Sequence, residues 1–192
     1  LFTDHELMNR FVLKGGNLLD LVYNISSRAS MDVDVSMAGD FDVGSLKNVE
    51  ERIQRRIEET FRPEGYEPFD FLFQPKPDQI PPEQTGFWGG YQLEFKLVER
   101  EVAVSLGNDR AAMQRQSISV GGKGRVQIDI SKHEFVDSKV ATEMDGYRIY
   151  VYTPAMMVAE KLRAICQQMP EYAAIVKKHR KARARDFVDI HS

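Results

Sequence analysis

Seven residues, Met31-Asp32-Val33-Asp34-Val35-Ser36-Met37, alternate apolar and polar side chains without a break. A period of two marks a strand with one face in a core and the other against something polar. Val33 and Val35 take the core side, so Asp32 and Asp34 leave the strand together on the opposite face. Two carboxylates side by side repel unless a cation lies between them. Mg²⁺ suits such a pair, because it takes hard oxygen ligands and keeps positions open for water and phosphate. A third carboxylate on a neighbouring strand would complete the arrangement. Asp129, set between Ile128 and Ile130, is the best placed. Taken alone, the Asp-X-Asp pair is a weak signal, and two solvent-facing aspartates on an edge strand are the favoured reading.

The preceding residues add context. Phe11-Val12-Leu13 is a short apolar run closed by Gly15-Gly16, the pattern of a strand turning into a helix. The spacing predicts that helix over Asn17–Tyr23, with Leu18, Leu21 and Val22 on its apolar face. Backbone N–H groups at the Lys14-Gly15-Gly16 turn can point at a phosphate, and Lys14 and Arg28 could add positive charge there. A glycine pair before a helix is also a common structural turn. The turn and the acidic strand together say more than either alone.

A helix is predicted from Ser45 to Phe61, with Ser45 as its N-cap, an apolar stripe from Leu46 to Phe61, and Gly65 beyond its end. Strands follow at Phe69–Phe73, Tyr91–Val98, Val126–Ser131 and Tyr147–Tyr152, with a proline-rich loop over Pro75–Pro82. The polar, glycine-bearing stretch Gly107–Gly124 reads as a long mobile connection. Thr153-Pro154 opens a helix over Ala155–Gln168 that buries Val158, Leu162 and Ile165. A last helix is expected from Tyr172 to about His191. The order implies a mixed α/β (α+β) fold: a core over 1–152 with a mixed sheet flanked by helices, then a helical region over 153–192.

With 192 residues, 42% of them hydrophobic and 29% charged, the chain can bury its own core without disulfides. Cys166 is the single cysteine and reads as buried in a helix face. That excludes an internal disulfide and a Cys-based zinc site, and fits a reducing cytoplasm. No apolar stretch reaches the roughly 20 residues needed to cross a bilayer, and the first residues lack the layout of a secretory signal. A first residue other than Met suggests a trimmed chain. The net charge of −3 excludes a basic nucleic-acid coat. Only Lys177 to Arg185 is densely basic, as a phosphate-neutralising patch or a solvated helix face. Phe87 and Trp88 could stack a base, although packing is the favoured reading. The four histidines show no metal-ligand spacing, and no Ser/His/Asp arrangement can be argued.

The run Phe11-Val12-Leu13-Lys14-Gly15-Gly16-Asn17-Leu18-Leu19, followed by Arg28-Ala29-Ser30-Met31-Asp32-Val33-Asp34, resembles the AbiEii/AbiGii toxin-type nucleotidyltransferases, of the polymerase β-like superfamily. Later motifs of that family are a lysine on a helix and Arg-Asp-X-X-Asp. They resemble Lys161 in Ala159-Glu160-Lys161-Leu162-Arg163-Ala164, and Arg185-Asp186-Phe187-Val188-Asp189. The resemblance implies that Gly15 and Gly16 hold a nucleoside triphosphate, with Lys14, Asn17, Arg28 and Ser30 around it. It implies that Asp32 and Asp34 bind Mg²⁺ and that Asp129 is the third carboxylate, a metal ligand or the base for an acceptor hydroxyl. Lys161 would meet nucleotide phosphate, and Asp186 and Asp189 would shape the far side of the pocket.

Asn17 departs from the family's usual Thr or Ser, which replaces a hydroxyl contact with an amide that can still donate. Family members generally continue into further helices, so acceptor-binding parts are expected beyond Ser192. The implied role is a toxin neutralised by an antitoxin, with NTP as substrate and tRNA or another RNA as acceptor. Alternatives are nucleotidylation of a protein or small molecule, and a non-catalytic module that binds an antitoxin or RNA. Three convergent carboxylates argue against the last, since a binding module has no need of them.

Overall fold

The computed structural model describes residues 4–23, 32–107, 109–120, 122–175 and 182–191. The elements run α1 (His5–Arg10), β1 (Val12–Lys14), α2 (Gly15–Leu21), β2 (Asp32–Ser36), α3 (Leu46–Phe61), β3 (Tyr66–Lys76), β4 (Gly90–Glu99), α4 (Arg100–Ser105), α5 (Arg110–Arg115), β5 (Val126–Ser131), β6 (Val140–Met144), β7 (Tyr147–Val151), α6 (Pro154–Cys166), α7 (Pro170–Ile175) and α8 (Ala184–His191). The fold is mixed α/β. Its seven strands form one sheet in the order β3-β4-β5-β2-β1-β7-β6. Strands β2 and β5 are parallel, as are β1 and β7, and the remaining neighbours are antiparallel.

The middle of this sheet has two unlike faces, because β2, β4 and β5 all alternate. Val35, Leu93, Phe95, Ile128 and Ile130 are buried on one face with Val49, Ile53 and Ile57 of α3. Burial of that kind contributes about 25 cal/mol per Å² of apolar surface. Asp32, Asp34, Gln92, Gln127 and Asp129 occupy the alternate positions and so share the other face.

Several local expectations are corrected. Ser45 stands at the N-cap of α3 but makes no side-chain capping bond; its hydroxyl donates to the Asp42 carbonyl at 2.8 Å, because Val43–Ser45 already form a 3-10 turn. Helix α2 begins at Gly15 and buries Leu18 and Leu19, leaving Leu21 outside. Strand β3 runs on through Pro75 to Lys76, which a proline tolerates at the sheet's edge. The stretch expected to be one long connection holds α5, capped by the Asp109 carboxylate, and a bridge between Val120 and Lys123. Helix α6 buries Met156 and Met157 rather than Leu162, and Cys166 is exposed. The single last helix is replaced by α7 and α8, with Ala182 and Arg183 outside either.

Candidate active site

Strand β1 ends at Lys14, and the chain turns directly into α2 at Gly15, whose φ is +76°. Only glycine takes that left-handed backbone without cost. A side chain there would also run into the Asp34 carboxylate, so Gly15 is required both by the turn and by its neighbour. The β1–β2 register sets Lys14 opposite Asp34, and the parallel β2–β5 register sets Asp34 opposite Asp129. Adjacent strands lie about 4.8 Å apart, so these side chains are immediate neighbours on one face. Asp32 stands two residues along from Asp34, opposite Gln127.

The carboxylates are compensated unequally. Asp129 receives the Lys76 ammonium on both oxygens, each at 2.9 Å, together with Gln92 and Gln127. Asp32 receives Lys123 at 2.7 and 2.8 Å. Among the described residues no hydrogen bond or ion pair ends on the Asp34 carboxylate. Its pKa is pushed up to about 6, first by burial; Lys14 opposes the shift, and Asp129, Glu160 and Asp32 add to it. Neither Lys76 nor Lys123 carries a signal of its own in the sequence, since each lies in an irregular stretch far from the motifs.

Lys14 lies deep in this site, with only 5% of its surface exposed. Its ammonium donates to Glu160 Oε1 at 2.8 Å and to Ser131 Oγ at 3.1 Å. Burial works to lower its pKa, but the charge and hydrogen bond of Glu160 prevail, so Lys14 stays charged. Its role in the free protein is therefore to join the sheet to α6. Sequence reasoning passed over Glu160, although it precedes the motif lysine directly. Asn17 is also committed: its amide Nδ2 donates to the Asp32 carbonyl at 2.9 Å and pins α2 to β2. Arg28 and Ser30, and Lys177–Lys181 of the basic run, lie outside the described residues.

Helices α6 and α8 form the opposite wall. Lys161 donates to Asp189 Oδ2 at 2.6 Å, with Asp186 Oδ1 at 3.6 Å. The helix spacing of Glu160, Lys161 and Ala164 turns this side of α6 toward the sheet. Between the walls is a cavity of about 940 Å³ that reaches Gly15, Gly16, Asp34, Asp129, Lys161 and Asp186. Asp32, Asn17 and Asp189 stand behind or beside it.

Among the described residues no group of three or more His, Cys, Asp or Glu side chains forms a ready metal cage. The donor chemistry nevertheless suits Mg²⁺, which is held by one or two carboxylates with water and phosphate more often than by an all-protein cage. Asp34 and Asp129, in register, supply such a pair.

A Gly-Gly turn entering a helix, beside in-register carboxylates on a mixed sheet, is the arrangement expected of a nucleotidyltransferase. The profile of the "nucleotidyl transferase AbiEii toxin" family of type IV toxin–antitoxin systems matches residues 1–192, and the chain belongs to that family. A provisionally assigned nucleotidyltransferase from H. pylori aligns over 95% of this chain and 58% of its own, at 17% identity and a TM-score of 0.43. The chain thus spans a little over half the length of that protein. None of the curated proteins matches the chain significantly. Among the described residues no helix is long and apolar enough to cross a membrane.

Proposed function

We propose that the protein transfers a nucleoside monophosphate from an NTP to an acceptor hydroxyl, with Mg²⁺ as cofactor and RNA, tRNA foremost, as acceptor. It acts as the toxin of a toxin–antitoxin pair. The reading rests above all on the in-register pair Asp34 and Asp129 facing a cavity that opens onto Gly15 and Gly16. In the reaction the acceptor hydroxyl oxygen forms a bond to the α-phosphorus. The bond from that phosphorus to the bridging oxygen breaks, and pyrophosphate leaves with the electron pair. The hydroxyl proton passes to the Asp129 carboxylate. Asp32, Asp34 and Asp129 would hold Mg²⁺, which when bound offsets the triphosphate charge.

The protein's own residues do the positioning. The backbone N–H groups that open α2 face the phosphates. Lys14, held by Glu160 and Ser131, keeps a fixed positive charge beneath Asp34. Lys161 stands ready to exchange Asp189 for phosphate. Preorganised charges of this kind supply most of the acceleration in phosphoryl transfer.

The test is incubation with Mg²⁺, total tRNA and each α-labelled NTP in turn, beside an Asp34→Ala control. Label entering RNA only with the intact protein is the expected result. Label on protein would replace the RNA acceptor by a protein one. Absence of transfer together with absence of any NTP-induced rise in melting temperature would overturn the enzyme reading.

A further inference from the structure

Phe87 and Trp88, expected to pack inside, do not. They expose 65% and 43% of their surfaces, although both are large aromatic side chains. Both line the same cavity as Gly15, Asp34 and Asp129. They are held firmly from behind. The Phe87 and Trp88 backbone N–H groups donate to the Gln84 carbonyl, and Gly89 accepts from the Lys132 N–H at 3.0 Å. Gly90 lies so close to the Ile130 carbonyl that no side chain fits, which locks the end of this loop onto β5. An exposed aromatic pair on a pinned loop loses little freedom when it meets a flat ligand.

A second observation comes from the neighbouring residue. His133 follows Lys132 and also lines the cavity, in a left-handed conformation with φ of +59°. Its Nε2 atom is buried and has no hydrogen-bond partner among the described residues, and the same holds for Arg183 Nε and Asp186 Oδ2 on the opposite wall. Buried polar atoms are almost always paired, so an unpaired one on a cavity wall invites a ligand's polar atom. A flat aromatic surface beside an unsatisfied ring nitrogen is the chemistry that meets a nucleobase, by face and by edge.

We propose that Phe87 and Trp88, with His133 beside them, form the subsite for the base of the NTP. The assignment rests on the nucleotidyltransferase reading and deepens it. The triphosphate lies toward Gly15 and Gly16 and the base toward Trp88, at the C-terminal end of β5. The Trp88 ring stacks on the base, and the His133 ring turns to bring its Nε2 to the base's hydrogen-bonding edge. Stacking tolerates every base, so any preference among the four nucleotides arises from the His133 contact.

Trp88 is the chain's single tryptophan, so its intrinsic fluorescence reports this subsite alone. The full chain is titrated in Mg²⁺ with each NTP, with inorganic tripolyphosphate, and with a short RNA lacking a triphosphate. Melting temperature is followed in parallel. NTP should quench the emission and raise the melting temperature, while tripolyphosphate raises the melting temperature without quenching. Trp88→Ala should weaken NTP roughly tenfold or more, as stacked bases do, and leave tripolyphosphate within twofold. Trp88→Phe should restore most of the NTP affinity.

Should Trp88→Ala fail to fold, the quench and Trp88→Phe still decide the matter. NTP that raises the melting temperature of wild type without quenching would overturn the subsite and leave the enzyme reading standing. Quenching by RNA alone would overturn it in favour of an acceptor base. Absence of any response to NTP would remove the subsite together with the function it rests on.

Discussion

The two walls of the cavity hold their charges in opposite ways. On the helical wall Lys161 lies between Asp189 and Asp186, and each sign finds the other within a few ångströms. On the sheet wall three carboxylates crowd one face, two satisfied by lysines from distant stretches and Asp34 satisfied by none of the described residues. The helical wall thus pairs its charges, although Arg183 Nε and Asp186 Oδ2 are buried without a hydrogen-bond partner among the described residues, whereas the sheet wall stores repulsion at Asp34. Groups that cost stability in the free protein are found where a ligand later supplies what is missing.

Replacing Asp34 by Asn should separate the walls most clearly. Transfer should fall by a factor of 10³ or more, because the residue faces the site of developing charge. Stability should rise. The native pKa of Asp34, about 6, lies above its ordinary 3.8, so the folded state holds the proton more tightly than the unfolded one. Folding stability contributed by this group is accordingly lost as pH rises from 3.8 through 6, and the full penalty applies above 6. Asn removes that penalty, a gain of about 2–3 kcal/mol at neutral pH. The gain should fade as pH falls toward 4. Urea unfolding at pH 7.5 and pH 4 checks this, and a variant less stable at both would show that Asp34 is compensated after all.

Glu160 crosses from one wall to the other through its ion pair with Lys14, and Arg163 of α6 makes a second crossing to Glu134 beyond β5. Glu160→Ala would leave a lysine whose side chain is 7% exposed, with Ser131 as its remaining hydrogen-bond partner among the described residues and the Tyr152 ring beside it. Breaking a fully buried pair costs about 3–5 kcal/mol. Glu160 is itself 26% exposed, and water reaching Lys14 reduces the expected loss to about 1–3 kcal/mol. Glu160→Gln, which keeps an acceptor, should lose less. Equal stability of the Ala and wild-type proteins in urea would mean that the Arg163–Glu134 pair suffices to join the walls.

This division also explains what was readable beforehand. Asp32, Asp34 and Asp129 were legible because strand alternation puts them on one face, and a polar residue between Ile128 and Ile130 stands out. Gly15 was legible as a turn, but the reason that nothing larger fits, the Asp34 carboxylate behind it, exists only in three dimensions. Helix α1, strand β6 and the split into α7 and α8 were missed, because short elements carry little periodicity. Leu162 was assigned to the interior on apolar spacing, yet α6 turns Glu160 and Lys161 inward, because a polar cavity rather than a core lies beneath it. Ion partners were the least legible of all: Lys76 is 53 residues from Asp129, and Lys123 is 91 from Asp32.

The smallest expected effect concerns those partners. Lys76 is 47% exposed, so its ion pair with Asp129 adds less than about 1 kcal/mol to stability. Its importance lies in competition. An ammonium on both Asp129 oxygens would compete for that carboxylate with any divalent cation that Asp129 helped to hold. Lys76→Met should leave urea stability nearly unchanged and tighten Mn²⁺ binding several-fold, read by calorimetry or by the loss of the free-Mn²⁺ paramagnetic signal. The same change at Lys161 should not affect Mn²⁺ in this way, since its partners lie on the other wall. Weaker Mn²⁺ binding in Lys76→Met would instead make Lys76 a support for the acidic site, and the contrast between the two walls would have to be redrawn.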